Sequence, residues 1–286
     1  MERVFLNLCR SFDRLNIKYT VNKPFNQVKP AEPVVVLGTE KNALQGYHQP
    51  NPIIAGIGLM SHPNEWPNLF KDYPVAKYLQ HSQWAKDIYA PYFGEDKVDI
   101  WPAGIDTDKW LPSPQKKTVD ILIYNKIRWN SGEISSTLKD PIIKVLDRAG
   151  LRHKEIVYGD YFEAEYRSPL QQSRAMLFLC EHESQGFACC EAMSMNIPIL
   201  AWDQGFCLDP NQSAGSKNGI PATSVPFFDE TCGITFKDLP DFEQKFNTFW
   251  NKVQSGHFAP RQYILQNLSL EKSGERMLEI IKSVYK

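Results

Sequence analysis

The sequence predicts an α/β protein in two lobes, each built on a parallel sheet covered by helices. Three observations predict it. Short apolar runs such as "PVVVLG", "PIIAGIG" and "TVDILIYNK" alternate with stretches whose apolar residues recur at helical spacing. Those runs are apolar almost throughout, as strands covered on both faces are, and strands separated by helices pair in parallel. The third observation is a break. Residues 101–118, "WPAGIDTDKWLPSPQKKT", are rich in Pro, Ser, Asp and Lys, the composition of a linker. It separates an N-terminal lobe, 1–108, from a C-terminal lobe, 109–286, whose last helix is a candidate to pack back on the first lobe. In such sheets ligands bind beyond the carboxyl ends of the strands, which places the expected site in a cleft between the lobes.

Taken in order, "RVFLNLCRSFDRLN" sets Val4, Phe5, Leu8, Phe12 and Leu15 on one helical face. "IKYTVN", "PVVVLG", "PIIAGIG" and "AKYLQHS" read as strands. "SQWAKDIYAPYFG" reads as a helix ending on Gly94, and "KVDIWPAGI" as a strand running into a loop. The second series begins with the strand "TVDILIYNK". The helix "SSTLKDPIIKVLDRAG" follows, with Gly150 as a left-handed C-cap. Then come the strand "HKEIVYG", a helix near Tyr161 to Ser173, the strand "RAMLFLC", the helix "GFACCEAMSMN" and the strand "IPILAWD". Two amphipathic helices close the chain, one carrying Phe242, Phe246 and Phe249, the other Met277, Leu278, Ile281 and Val284.

With 286 residues, 42% of them hydrophobic, the chain can bury two modest cores. A net charge of −1 argues against a nucleic-acid partner, which calls for a basic face. The first thirty residues are locally basic, with Arg3, Arg10, Arg14, Lys18, Lys23 and Lys29 against Glu2 and Asp13. They form either a solvated face or a patch for weak peripheral docking on an anionic membrane. No apolar run reaches the ~18–20 residues that span a bilayer, and "MERVFLNLCRSF" is too polar for a signal-peptide core. Six cysteines are scattered without a C-x-x-C pair, several inside apolar runs. This usage predicts a reduced, cytoplasmic protein with no metal site.

Chemistry concentrates in "CEHESQGFACCEAMSMNIPILAWD", residues 180–203. An apolar strand ends abruptly in Glu181, His182 and Glu183, and a helix begins near Gln185 to Phe187. Free N–H groups and the dipole at that helix start favour a phosphate, and Gly186 lets a ligand approach the backbone. Glu183 stands ahead of the helix, where it can accept from a hydroxylated group. Glu191, inside the helix, can accept from a ribose. Their separation alone means little, because Glu155/Glu163 and Glu271/Glu279 share it and read as surface pairs. The context carries the argument. Cys189 and Cys190 read as core. His182, flanked by both acids, is either a pocket residue or a plain loop residue.

That context resembles the E-x(7)-E region of GT-B fold retaining glycosyltransferases, especially glycosyltransferase family 4. Their pattern is roughly E-G-F-G-x-x-x-x-E-A-M-A-x-G-x-P-V, and this chain reads "ESQGFACCEAMSMNIPI". "WPAGIDTDKW" is similar to the family's P-N-G-V-D-x-x-x-F segment at the domain junction. The resemblance implies two Rossmann-like lobes of GT-B type. It also implies retaining, hexosyltransferase-like transfer from a nucleotide-diphosphate sugar to an acceptor hydroxyl. It implies no cofactor beyond that co-substrate and no metal. Glu183 would bind the donor sugar and assist the transition state, and Glu191 would hold the donor ribose. Gly186, Phe187, Ser184, Gln185 and His182 complete the donor site.

The chain departs from the family at several points. Gly186-Phe187 lies two residues further from Glu183 than usual. Asn196 replaces the glycine at the helix end, a mild change because Asn tolerates the left-handed conformation. In place of Gly-Arg and a following Lys, the strand "ILIYNKIRWNSGE" offers Lys126 and Arg128 to neutralise the departing diphosphate. The N-terminal, acceptor-side lobe starts in a helix, without the family's usual first strand and Gly-rich loop. His62, after "GIGLMS", takes the place of the family's N-terminal-lobe histidine. A non-catalytic nucleotide-sugar-binding protein and a nucleotide-sugar epimerase of the same fold remain as alternatives. A nicotinamide dehydrogenase has no G-x-G-x-x-G to support it.

Overall fold

A computed structural model describes residues 2–207, 209–213 and 219–285. The chain is mixed α/β and folds into two Rossmann-like units. Unit 1 holds the chain up to Gly104, the helical turn Pro210–Ser213, and the chain again from Leu268. Unit 2 holds the remainder of Ile105 to Asn267.

Unit 1 opens with helix α1 (Glu2–Arg14) and contains strands β1 (Val34–Leu37), β2 (Ile53–Gly56) and β3 (Val75–Gln80). Helix α2 (Gln83–Phe93) follows, ending on Gly94 at φ 105°, and then strand β4 (Val98–Ile100). All pairs are parallel and the order is β1-β2-β3-β4. The core lies under this sheet around Ile53, Ala55, Tyr78, Tyr89 and Phe93. Gly56, at φ 154°, is required by close packing: a Cβ there would come within 2.6 Å of the Leu79 backbone nitrogen. The last helix of the chain, Leu270–Val284, lies against α1. Gly274 permits the approach, since a Cβ on it would meet the Leu15 side chain at 2.7 Å. Polar bonds fasten it as well. The Trp101 indole N–H donates to the Ser273 carbonyl at 3.0 Å, and the Ser273 hydroxyl donates to the Pro102 carbonyl at 2.9 Å.

The expected strand "IKYTVN" is not a strand. Residues 17–22 are irregular and mostly exposed. Ile17 and Val21 line an apolar groove of about 780 Å³ beside α1 and β1, as do Lys18, Thr20 and Asn22, so the alternation does not sort the side chains onto two faces as a ladder would.

Unit 2 contains β5 (Val119–Lys126), a helical stretch beginning at Ser131, β6 (His153–Val157), α4 (Glu163–Gln172) and β7 (Ser173–Cys180). It continues through α5 (Phe187–Ser194) and β8 (Ile199–Trp202) to the antiparallel pair β9 (Phe206–Cys207) and β10 (Ile220–Pro221). Strand β11 (Gly233–Phe236) and helices α6 (Leu239–Gln254) and α7 (Pro260–Asn267) complete it. In the stretch from Ser131, a π-helical turn at Ser135–Lys139 precedes α3 (Asp140–Arg148). The wider register falls just ahead of Pro141, which has no N–H to give the preceding turn. Gly150 sits at φ 67°, and the Leu151 N–H returns to the Leu146 carbonyl at 3.0 Å, a left-handed helix stop.

The five parallel strands lie in the order β11-β8-β7-β5-β6. β5 and β7 occupy the middle, and from Ala175 to Cys180 every residue of β7 is buried. Helices α3 and α6 cover one face with Ile142, Leu146, Phe242, Phe246 and Phe249. The sequence analysis missed β11, the β9–β10 pair and α7. Gly233 and Thr235 break the apolar run of β11, the paired strands have two residues each, and α7 has no clean apolar stripe.

Candidate functional site

The strand order of unit 2 fixes where a ligand belongs. The chain goes from β5 outward to β6, then returns past β5 to β7, β8 and β11. The direction of winding reverses between β5 and β7. At such a switch point the two flanking loops diverge and leave a crevice beyond the carboxyl ends of the strands. Lys126 and Cys180 are register partners at those ends, so residues 126–129 and 180–183 face each other across the crevice.

Three successive residues of the β7 loop grip the β5 loop. Glu181 accepts the backbone N–H groups of Arg128 and Trp129 at 2.8 and 3.0 Å. The His182 ring stacks on Trp129, centroids 4.9 Å apart and 25° from parallel. Glu183 forms an ion pair with Lys126 in which both side chains are mostly buried. The Lys126 ammonium also lies 4.3 Å from the centre of the Tyr158 ring, and the Arg128 guanidinium 4.8 Å from that of Trp129. The backbone of Glu183 is itself held, its N–H donating to the Thr223 carbonyl at 3.0 Å.

Electrostatics follow from this packing. Burial disfavours a charged Lys126, yet the Glu183 carboxylate outweighs it and holds the ammonium above its ordinary range. Burial pushes the Glu181 carboxyl up, against the pull of the two N–H groups. Burial also lowers His182 to about 4, so its ring is neutral at pH 7. Its Nε2 lies 3.2 Å from the Cys207 thiol. A neutral imidazole beneath an exposed Arg128 leaves the positive charge of the crevice to the two side chains of the β5 loop.

Helix α5 begins at this crevice. Gly186 is its N-cap at φ 69°, a left-handed value that favours glycine. A Cβ there would meet nothing closer than 3.6 Å, so conformation and not crowding selects the glycine. Gln185 is buried, while Ser184 and Phe187 are half-buried. α5 is apolar except at Ser194, its last residue, and at Glu191, which is 3% exposed. Burial, and after it the Glu191 carboxylate, raise the Tyr166 phenol well above its usual range. The Tyr166 hydroxyl donates to the Ala188 carbonyl at 2.7 Å. Cys189 and Cys190 are buried in the core. At the far end Asn196 takes φ 60°, a left-handed conformation that asparagine tolerates better than other side chains do. Arg261 of α7 closes this end by donating to the Ser194 and Trp110 carbonyls at 2.6 and 3.1 Å. A cation is favoured there by the helix dipole.

The structure therefore brings together Lys126, Arg128, His182, Glu183 and the start of α5, with Glu191 one to two turns along the helix. His62 belongs to unit 1. Its Nδ1 accepts the Asn64 N–H at 3.2 Å, which caps the short 3₁₀ helix Pro63–Glu65. The ring meets Tyr92 edge-on at 5.3 Å, and burial lowers its pKa. Sequence reasoning marked Glu181 at the strand end but gave it no role, and it passed over Trp129, although the sequence places a tryptophan directly after Arg128. The triplet Asp106-Thr107-Asp108 forms a turn in which Asp106 accepts the Lys109 N–H at 3.2 Å. Among the described residues no three His, Cys, Asp or Glu side chains converge as a metal site. No described helix is long and apolar enough to cross a membrane.

No family model matches the chain, and no curated protein matches it by sequence. Solved structures do match its fold. AviGT4, a glycosyltransferase involved in avilamycin A biosynthesis, superposes with a TM-score of 0.60 at 13% identity, over 99% of this chain and 89% of AviGT4. TarM gives 0.58 at 12% identity, over 97% of this chain and 58% of TarM. The pneumococcal O-GlcNAc transferase GtfA, solved with UDP and GlcNAc, gives 0.51 at 13% identity, over 87% of this chain and 56% of GtfA. The chain thus spans little more than half the length of TarM and GtfA. The fold is that of GT-B glycosyltransferases.

Proposed function

We propose that the protein is a glycosyltransferase of the retaining kind, moving a sugar from a nucleotide-diphosphate sugar to an acceptor hydroxyl without a metal. One observation carries the reading: the Lys126–Glu183 ion pair stands at the β5/β7 switch point, directly ahead of the left-handed Gly186 that starts α5. A diphosphate resting there meets the Lys126 ammonium, the exposed Arg128 guanidinium and the first N–H groups of α5. These preorganised charges favour the departing diphosphate more than the intact donor, which is how such groups lower a barrier. Two cations and a helix start supply the neutralisation that a metal gives elsewhere.

Glu183 lies beside the sugar in this reading and supports positive charge developing at the anomeric carbon, while its pairing keeps Lys126 charged. Front-face retaining transfer needs no protein base, because the departing phosphate oxygen takes the acceptor's proton. Glu191 accepts from the ribose, with Phe187, Ser184, Gln185 and His182 around the donor. The fold shared with AviGT4 and TarM supports the class of activity, as does the complex of GtfA with UDP and GlcNAc.

The test is a thermal-shift panel of UDP-, GDP- and ADP-sugars. A ligand that binds the native state alone raises the melting temperature by mass action, so one donor should stand clear of the others. No shift with any nucleotide sugar would reject the reading.

A further inference from the structure

We propose that Glu181 is a positioning residue of this site: by clamping the backbone of Arg128 and Trp129 it fixes the loop that presents the diphosphate-binding cations. The proposal rests on the reading of the crevice as a diphosphate site.

Glu181 is 1% exposed, a costly place for a carboxyl group. Its Oε1 takes both backbone N–H groups, at 2.8 and 3.0 Å, whereas its Oε2 has no hydrogen-bond partner among the described residues. A helix cap or a surface ion pair would not require such burial. What the buried acid achieves is reach. It extends from the end of β7 to the chain leaving β5, and it satisfies two adjacent N–H groups that no strand partner can satisfy once β5 has ended. The neighbouring His182 grips the same loop through the Trp129 ring, and Glu183 grips Lys126. Residues 181–183 thus act on backbone, ring and ammonium in turn, and the first of them sets the path of the chain between Lys126 and Trp129. Sites of this kind depend on such supporting bonds, because a loop displaced by about 1 Å misplaces the groups it carries.

Geometry and charge make opposite demands on substitutions. Glu181→Asp keeps the charge and loses one methylene of reach. Glu181→Gln loses the charge and keeps both reach and an acceptor oxygen. The experiment is calorimetric titration of UDP, GDP and ADP, and of the matching nucleosides, into the wild type and the Ala, Asp and Gln variants. Amide hydrogen exchange is followed over residues 127–130. For the nucleoside diphosphate that the wild type binds, Ala and Asp should weaken affinity on the order of tenfold, the worth of a lost hydrogen bond. Nucleoside binding should not change, exchange at Arg128 and Trp129 should accelerate, and Gln should recover most of the loss. If Ala proves too unstable to assay, the contrast between Asp and Gln decides. Asp matching the wild type, or Gln failing as Asp does, overturns the proposal and leaves the diphosphate site standing. A wild type that binds none of the three diphosphates overturns both.

Discussion

In unit 1 the strands lie in chain order, β1-β2-β3-β4; in unit 2 the order turns back between β5 and β7. The ends of the two sheets differ accordingly. β3 of unit 1 ends in Gln80 and His81, with His81 Nδ1 3.3 Å from the Trp101 carbonyl and its pKa lowered to about 4 by burial. β5 and β7 of unit 2 end in Lys126, Arg128, Glu181 and Glu183. Both sheets have apolar parallel strands and covering helices, so burial alone does not account for the contrast. Topology does. A sheet that winds one way lets each loop pack against the next, and polar ends are best kept neutral there. A reversal parts two neighbouring loops, and charge can persist in the gap because it stays paired and partly wet.

The largest effect that would break this comparison comes from Glu183. Glu183→Gln keeps shape and an acceptor oxygen but removes the charge. Sugar transfer should fall by a factor on the order of 10²–10³, as when one preorganised electrostatic group is lost, while nucleoside diphosphate binding stays close to normal. Glu163→Gln is the control. Glu163 belongs to one of the coincidental pairs and forms an exposed ion pair with Lys109. Such pairs are worth about 0–1 kcal/mol, so transfer should not change. Wild-type rates in Glu183→Gln would make the acids at the end of β7 a polar strand end and nothing more.

Glu191 offers the next test. If it holds the ribose, Glu191→Ala should cost roughly 1.5–3 kcal/mol of donor affinity, the worth of a charge-assisted hydrogen bond. Unchanged donor affinity by calorimetry would remove Glu191 from the site and leave it as a buried acid beside Tyr166.

An effect on stability, separate from ligand binding, should be shared by both units. His81 and His182 are each lowered by burial from 6.5 to about 4. Between those values the unfolded chain binds protons that the folded chain refuses, so stability falls as pH drops from about 6.5 to 4. The slope should approach about 1.4 kcal/mol per pH unit for each histidine. Urea unfolding across that range measures it. Replacing either histidine by Gln should flatten the curve, and a curve indifferent to both would show that their burial is not maintained in solution.

Much of unit 2 was legible in the sequence. Its central strands are long apolar runs, and Gly150 marks a left-handed position that the structure uses. Asn196 does so too, at φ 60°. The same reading failed at "IKYTVN", where Ile17, Tyr19 and Val21 alternate as a strand would. The alternation sorts nothing there: Lys18 and Thr20 line the same groove as their apolar neighbours, and Tyr19 and Val21 stay exposed. β11 escaped notice because Gly233 and Thr235 break it up, whereas the equally short β1 and β8 are unbroken apolar runs. Within the site, Lys126, Arg128 and Glu183 could be chosen by type and position, since charge at the end of an apolar strand is conspicuous. Glu181 could not. Its work is a pair of bonds to backbone N–H groups more than fifty residues earlier, and that pairing exists only once β5 and β7 are neighbours.

The central claim is that the β5/β7 switch point of unit 2 binds a diphosphate through Lys126 and Arg128. The most direct measurement is calorimetric titration of a nucleoside diphosphate and its bare nucleoside into the wild type, Lys126→Ala and Arg128→Ala. The account predicts that each substitution weakens the diphosphate and spares the nucleoside, with the larger loss at Lys126, the more buried of the two. Equal losses for both ligands, or none for either, would contradict it.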